Sequence, residues 1–188
     1  ELDVPMVIAL NMMDEVIGSG GSVDVNAMEA ALGVPVIPIS ASKNEGIEEL
    51  TEHAINVARY KEHPGRLDFC SPDDANEGAV HRCIHSIIHL IEDHAKNAGI
   101  PVRFAATKLT EGDNLIKEAL NLDEKETEIC SRIIAEMEES RALDKEAALA
   151  DMRFSFIEKL CAKCVHRPSE TIGHKITVAA DKILTGKY

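Results

Sequence analysis

Two textures of apolar and polar positions divide the chain. Val4-Pro5-Met6-Val7-Ile8-Ala9-Leu10 is an unbroken apolar run ending at Asn11, the pattern of a strand covered on both faces of a parallel sheet. A glycine-rich turn, Gly18 to Ser22, follows it. Residues 24–32 read as a short helix stopped by Gly33. Val34-Pro35-Val36-Ile37-Pro38-Ile39 reads as a second strand, its two prolines making it short or an edge. Ile47, Leu50, Ala54, Val57 and Ala58 then mark one face of a helix. This order implies α/β crossover connections, taken to be right-handed. Residues 61–76 are turn-rich, so the expected division is 1–62, a linker at 63–76, and 77–188.

Beyond the linker only helical spacings are visible. Val80, Ile84, Ile87, Ile88 and Ile91 form a stripe. Asp123 with Glu126 has the logic of a capping box, opening a helix that carries Ile129, Ile133, Ile134 and Met137. Leu143, Ala147, Ala150, Phe154, Ile157, Cys161 and Cys164 keep a 4-3 spacing, as do Ile172, Ile176, Ala179 and Ile183 before Gly186. Such seams predict antiparallel helices in a bundle. The expected fold is therefore an α/β fragment followed by an all-α helical bundle domain, helix-dominated overall.

Charge and composition narrow the partners. The 188 residues carry a net charge of -13 and only 3% aromatics, so nucleic acid and anionic lipid are poor partners. No apolar run approaches the roughly 20 residues of a bilayer span. The five cysteines, at 70, 83, 130, 161 and 164, are odd in number and scattered. They read as free thiols of a reducing compartment. The chain opens almost inside an apolar strand, which suggests a piece of a longer protein.

The most informative chemistry lies at the carboxyl end of the first strand, where open α/β sheets bind ligands. Asn11-Met12-Met13-Asp14 places a carboxylate there that can accept hydrogen bonds from the ring N–H and exocyclic amine of guanine. Adenine offers no such pair of donors and would leave the carboxylate unpaired. Ser40-Ala41-Ser42-Lys43 ends the second strand, and the Ala41 N–H is the expected donor to the guanine oxygen. Asn11 is expected to tie the two loops together. The expected guanine-binding set is thus Asn11, Met12, Asp14, Ser40, Ala41 and Ser42. The plainer reading is that Asp14 caps a helix and Ser40 starts a turn. No catalytic residue can be argued from spacing alone.

Both loops resemble known motifs. Pro5 to Glu15 is similar to the fourth nucleotide-binding motif of the ferrous iron transport protein B family, and Ala31 to Ala41 to the run into its fifth. Arg103-Phe104-Ala105-Ala106-Thr107-Lys108-Leu109-Thr110-Glu111-Gly112-Asp113 resembles a segment of that family's helical domain. Arg167 to Thr171 and Asp181 to Tyr188 resemble the run before its membrane domain. The resemblance implies the later part of a partial GTPase-like parallel sheet, then a helical domain that stabilises bound GDP, then an iron permease. It implies GTP or GDP with Mg²⁺ in the intact protein, on the cytoplasmic face of a bacterial membrane, with the rest of the chain as partner. Met12 replaces the Lys usual in Asn-Lys-x-Asp, which implies weaker affinity and faster exchange. Neither Gly-x-x-x-x-Gly-Lys-Ser/Thr nor Asp-x-x-Gly occurs in these 188 residues. No nucleotide is therefore expected to stay bound to this chain alone, nor to be hydrolysed by it. A partial sheet also exposes an edge, so self-association is expected.

Two weaker constellations remain. His81, His85 and His89 recur every four residues and could bind a borderline metal. A closed site's further ligands are not visible, so no metal is expected and these three are the candidates to examine. Cys161-Ala162-Lys163-Cys164 reads as a pair of small buried core residues. A helical interaction module and a histidine-based metal sensor are the alternatives to the nucleotide reading.

Overall fold

The computed structural model describes residues 1–66, 68–73 and 75–167, without the side chains of 75–77. The expected final helix, Ile172 to Ile183, and the segments 168–171 and 181–188 lie outside the described residues.

The first unit is built on two parallel strands, β1 (Ile8–Leu10) and β3 (Val36–Pro38), in register Ile8 with Val36 and Leu10 with Pro38. The strand is shorter than the apolar run predicts, because its ladder begins only where the Ile8 N–H reaches Pro35 O, at 2.9 Å. Between the strands run α1 (Met13–Gly18), the two-residue β2 (Ser22–Val23) and α2 (Val25–Leu32). Asp24 caps α2 through the Ala27 N–H, at 2.9 Å. Gly33 ends α2 in the left-handed region, φ 70°. A Cβ there would lie 2.5 Å from Arg66 N, so glycine is what lets residues 65–66 pass against this turn. A 3-10 turn (Ala41–Lys43) and α3 (Ile47–Tyr60) complete the unit.

The second unit is helical: α4 (Ala75–Ala98), α5 (Val102–Glu111), α6 (Asn114–Leu120), α7 (Glu124–Arg141) and α8 (Lys145–Cys164). The α4 stripe points inward as its spacing predicts, with Val80, Ile84, Ile87 and Ile91 buried. The Asp123–Glu126 capping box forms with both of its hydrogen bonds. Gly112, at φ 85°, closes α5, and Asp113 caps α6. Asp144 caps α8 through the Ala147 N–H, at 2.7 Å, and Glu138, near the end of α7, accepts the Lys145 N–H at 2.8 Å.

Two expectations fail in α8. The inward residues are Ala148, Leu149, Met152 and Cys164, whereas Phe154, Ile157 and Cys161 are exposed. Two 4-3 registers coexist on this helix; Cys164 is buried as expected, but earlier in the helix the core takes Ala148, Leu149 and Met152 rather than Phe154 and Ile157. The inward register serves two cores. Ala148, Leu149 and Met152 join the bundle core. Leu160, Cys164 and Val165 pack with Met28, Val36, Ile8 and Leu10 of the first unit. The helix then continues into a strand the sequence did not reveal, β4 (Val165–His166), antiparallel to β2. A two-residue strand carries no periodicity to read.

The linker is held at several points. Gly65 N–H donates to Gly33 O at 2.7 Å. Arg66 lies over the Phe69 and Phe156 rings, at 5.7 and 5.1 Å. Among the described residues no helix is long and apolar enough to cross a membrane.

Candidate functional site

The carboxyl ends of β1 and β3 bring the predicted loops together. Asn11 follows β1, and its side-chain Oδ1 accepts two backbone N–H groups, from Met12 at 2.8 Å and from Ala41 at 3.1 Å. One amide thus ties the two loops across 30 residues of sequence. Met12 turns the chain at φ 65°, a left-handed conformation that costs a non-glycine residue about 1–3 kcal/mol. Its thioether is exposed. The turn aims Asp14, in the first turn of α1, toward the Ser40 loop.

Asp14 is half-buried and paired. Its Oδ2 lies 3.1 Å from Lys43 Nζ. The Lys43 ammonium, then the Ser40 hydroxyl, hold the Asp14 carboxyl below the usual carboxylate range. Ser40 is buried where β3 ends. It exchanges backbone hydrogen bonds with Glu45, at 3.0 and 3.1 Å, and its Oγ is 3.4 Å from Ser42 Oγ. Ala41 and Ser42 are exposed on the turn. All six predicted residues therefore lie just beyond the adjoining carboxyl ends of β1 and β3, with Asp14 in the first turn of α1. The Ala41 N–H points at Asn11, so a guanine oxygen would share or displace that bond. Lys43 as the holder of Asp14 is a role the sequence reading missed.

The histidines behave differently. His81 and His85 sit one turn apart near the start of α4, half-buried, with ring centroids 4.1 Å apart. His81 Nδ1 is 3.1 Å from Cys70 Sγ, and His85 Nε2 is 2.8 Å from Asp68 Oδ2. His89, one turn further, is exposed and stands outside the group. Asp68 and Cys70 come from the linker, a pair the sequence reading did not single out. Asp68 Oδ1 also accepts the Cys70 N–H at 3.0 Å. Arg103 of α5 reaches both, 3.0 Å from Asp68 Oδ1 and 3.3 Å from Cys70 Sγ. Burial pushes the Cys70 thiol up to about 11. Burial also raises Asp68, but the Cys70 hydrogen bonds and the Arg103 charge outweigh it, leaving that carboxyl below its ordinary value.

Residues 1–54 match the family model described as ferrous iron transport protein B, and residues 77–166 match the one described as the FeoB cytosolic helical domain. The chain belongs to the ferrous iron transport protein B (FeoB) family. It is 30% identical over 167 residues to the Fe(2+) transport protein A/Fe(2+) transporter FeoB fusion protein of Porphyromonas gingivalis, covering 84% of this chain and 19% of that one. Against the Fe(2+) transporter FeoB of Legionella pneumophila it is 30% identical over 191 residues, covering 100% of this chain and 22% of the relative. The chain thus spans about a fifth of the length of these FeoB relatives. A solved S. thermophilus NFeoB bound to GDP.AlF4- and K+ superposes with a TM-score of 0.68 at 30% identity, covering 85% of this chain and 59% of that one. S. thermophilus NFeoB bound to mGMPPNP gives a TM-score of 0.66 at 28% identity, covering 89% and 60%. The α/β unit followed by a helical unit is thus the arrangement of a FeoB G domain and its helical domain.

Proposed function

We propose that the two loops form the base-reading corner of a guanine-nucleotide site in a GTP-dependent ferrous iron transporter. In this reading residues 1–62 belong to its G domain, 63–76 connect, and 77–188 are a regulatory helical domain on the cytoplasmic face of the membrane. The observation that carries it is the Asn11 side chain, which joins the loop of Asp14 to the Ala41 backbone. The solved NFeoB structures that hold guanine nucleotides support it. Asp14 would exchange the Lys43 ammonium for the two guanine donors, and Ala41 would turn its N–H to the base oxygen. Phosphates and Mg²⁺ would be held by other parts of the full-length protein, since no phosphate loop occurs in these 188 residues.

Asp14→Asn tests the base reading in full-length protein. The amide offers a donor where the carboxylate offers an acceptor. Guanine-nucleotide affinity should fall at least 100-fold while xanthine-nucleotide affinity rises, because a mismatched polar partner is costly in a site built for it. Unchanged GDP affinity, by calorimetry, would leave the helical unit as an interaction module and the nucleotide reading wrong.

A further inference from the structure

We propose that Asp68, Cys70, His81 and His85 form a binding site for one divalent transition ion of the borderline class, zinc(II) or iron(II). One ligand atom from each residue, a carboxylate oxygen, a thiol sulfur and two imidazole nitrogens, lies within 4.8 Å of all the others. A tetrahedral ion with bonds of about 2.0–2.3 Å holds its ligand atoms about 3.3–3.8 Å apart. The two contacts now at 2.8 and 3.1 Å need open by only about half an ångström to reach that spacing. Imidazole with thiolate suits zinc and iron, and is a poor set for magnesium or calcium.

The supports are in place before any ion arrives. Val80 and Ile84, each preceding a histidine, are buried, so α4 cannot roll without emptying the core. Asp68 is fixed by the Cys70 N–H and by Arg103, both on Oδ1, which leaves Oδ2 facing His85. Arg103 Nη1 has no hydrogen-bond partner among the described residues. Charges also close: the ion's two positive charges meet the Asp68 carboxylate and the Cys70 thiolate, whose proton leaves to solvent. The charge of Arg103 itself is met by Glu1, whose Oε1 is already 3.5 Å from its Nε. Bound there, the ion would fasten the connecting segment to α4.

The test is anaerobic titration of the reduced 188-residue chain with cobalt(II). We expect a thiolate-to-cobalt charge-transfer band and intense tetrahedral d–d bands that saturate at one equivalent. Added zinc(II) should bleach them, and iron(II) in a parallel arm shows which ion displaces cobalt at lower concentration. Cys70→Ser should abolish the charge-transfer band. Asp68→Asn, which keeps the shape, should weaken binding at least tenfold. His89→Ala and Cys161→Ser should leave the spectrum unchanged. No spectrum at tenfold excess cobalt overturns the proposal. So does a band that survives Cys70→Ser or is lost in Cys161→Ser.

Discussion

Single residues here are held by partners distant in sequence, and their protonation follows. His94 donates from Nδ1 to Leu120 O at 2.9 Å, and its Nε2 lies 3.1 Å from Glu126 Oε1. Both partners are acceptors, so the ring is best satisfied when both nitrogens carry hydrogen. Its pKa is accordingly raised, first by the Glu126 hydrogen bond. A raised histidine contributes stability that is whole below the ordinary imidazole value and is lost as pH rises through the higher folded-state value. We expect the wild-type chain to lose melting temperature across that window and His94→Gln to show a flatter profile; identical profiles would refute the coupling. Asp14 has the opposite sign: its stabilising pairing is lost only as pH falls through a depressed value. Lys43→Ala should return the Asp14 carboxyl toward its ordinary range, as read by carboxyl chemical shifts. Lys43 stands in the quoted motif, yet its tie to Asp14 could not be read, because the curl of the Ser40 loop is set by the Ser40–Glu45 bridge.

Among elements, the legible ones were those with a periodic face or a cap. Ile84, Ile87 and Ile91 announce α4, and Asp123 with Glu126 announces the start of α7. In α8 the same logic chose the wrong face, since Phe154 and Ile157 are more apolar than Ala148 yet lie outside. What decides that face is where the helix lands, which no local spacing encodes. Leu149→Ala should therefore cost about 2–5 kcal/mol in chemical denaturation, and Phe154→Ala under about 1 kcal/mol. Equal effects would restore the other register. Gly33→Ala combines a left-handed strain of about 1–3 kcal/mol with a collision at Arg66. It should destabilise the chain by at least that amount in the same assay.

At the scale of the molecule, α8 joins the two units, because its early turns lie in one core and its last turn in the other. Leu160→Ala should speed amide exchange in α2 and β2 while leaving α4 to α7 protected. Uniform loss of protection would show a single undivided core instead. This joint was illegible: nothing in Ser22-Val23 or Val165-His166 says that they pair. The resemblance of segments along the chain to one family implied the order of units but not their contact.

The two-core membership of α8 has a consequence for how the chain is born. The sheet of the first unit is synthesised before α8, and Cys164, which packs beside Val36, is added roughly 130 residues after it. Until then Val36, Met28 and Leu10 lack that cover, and transiently exposed apolar surface of this kind is prone to aggregation. The last turn of α8 is, in effect, the stopper that ends that exposure.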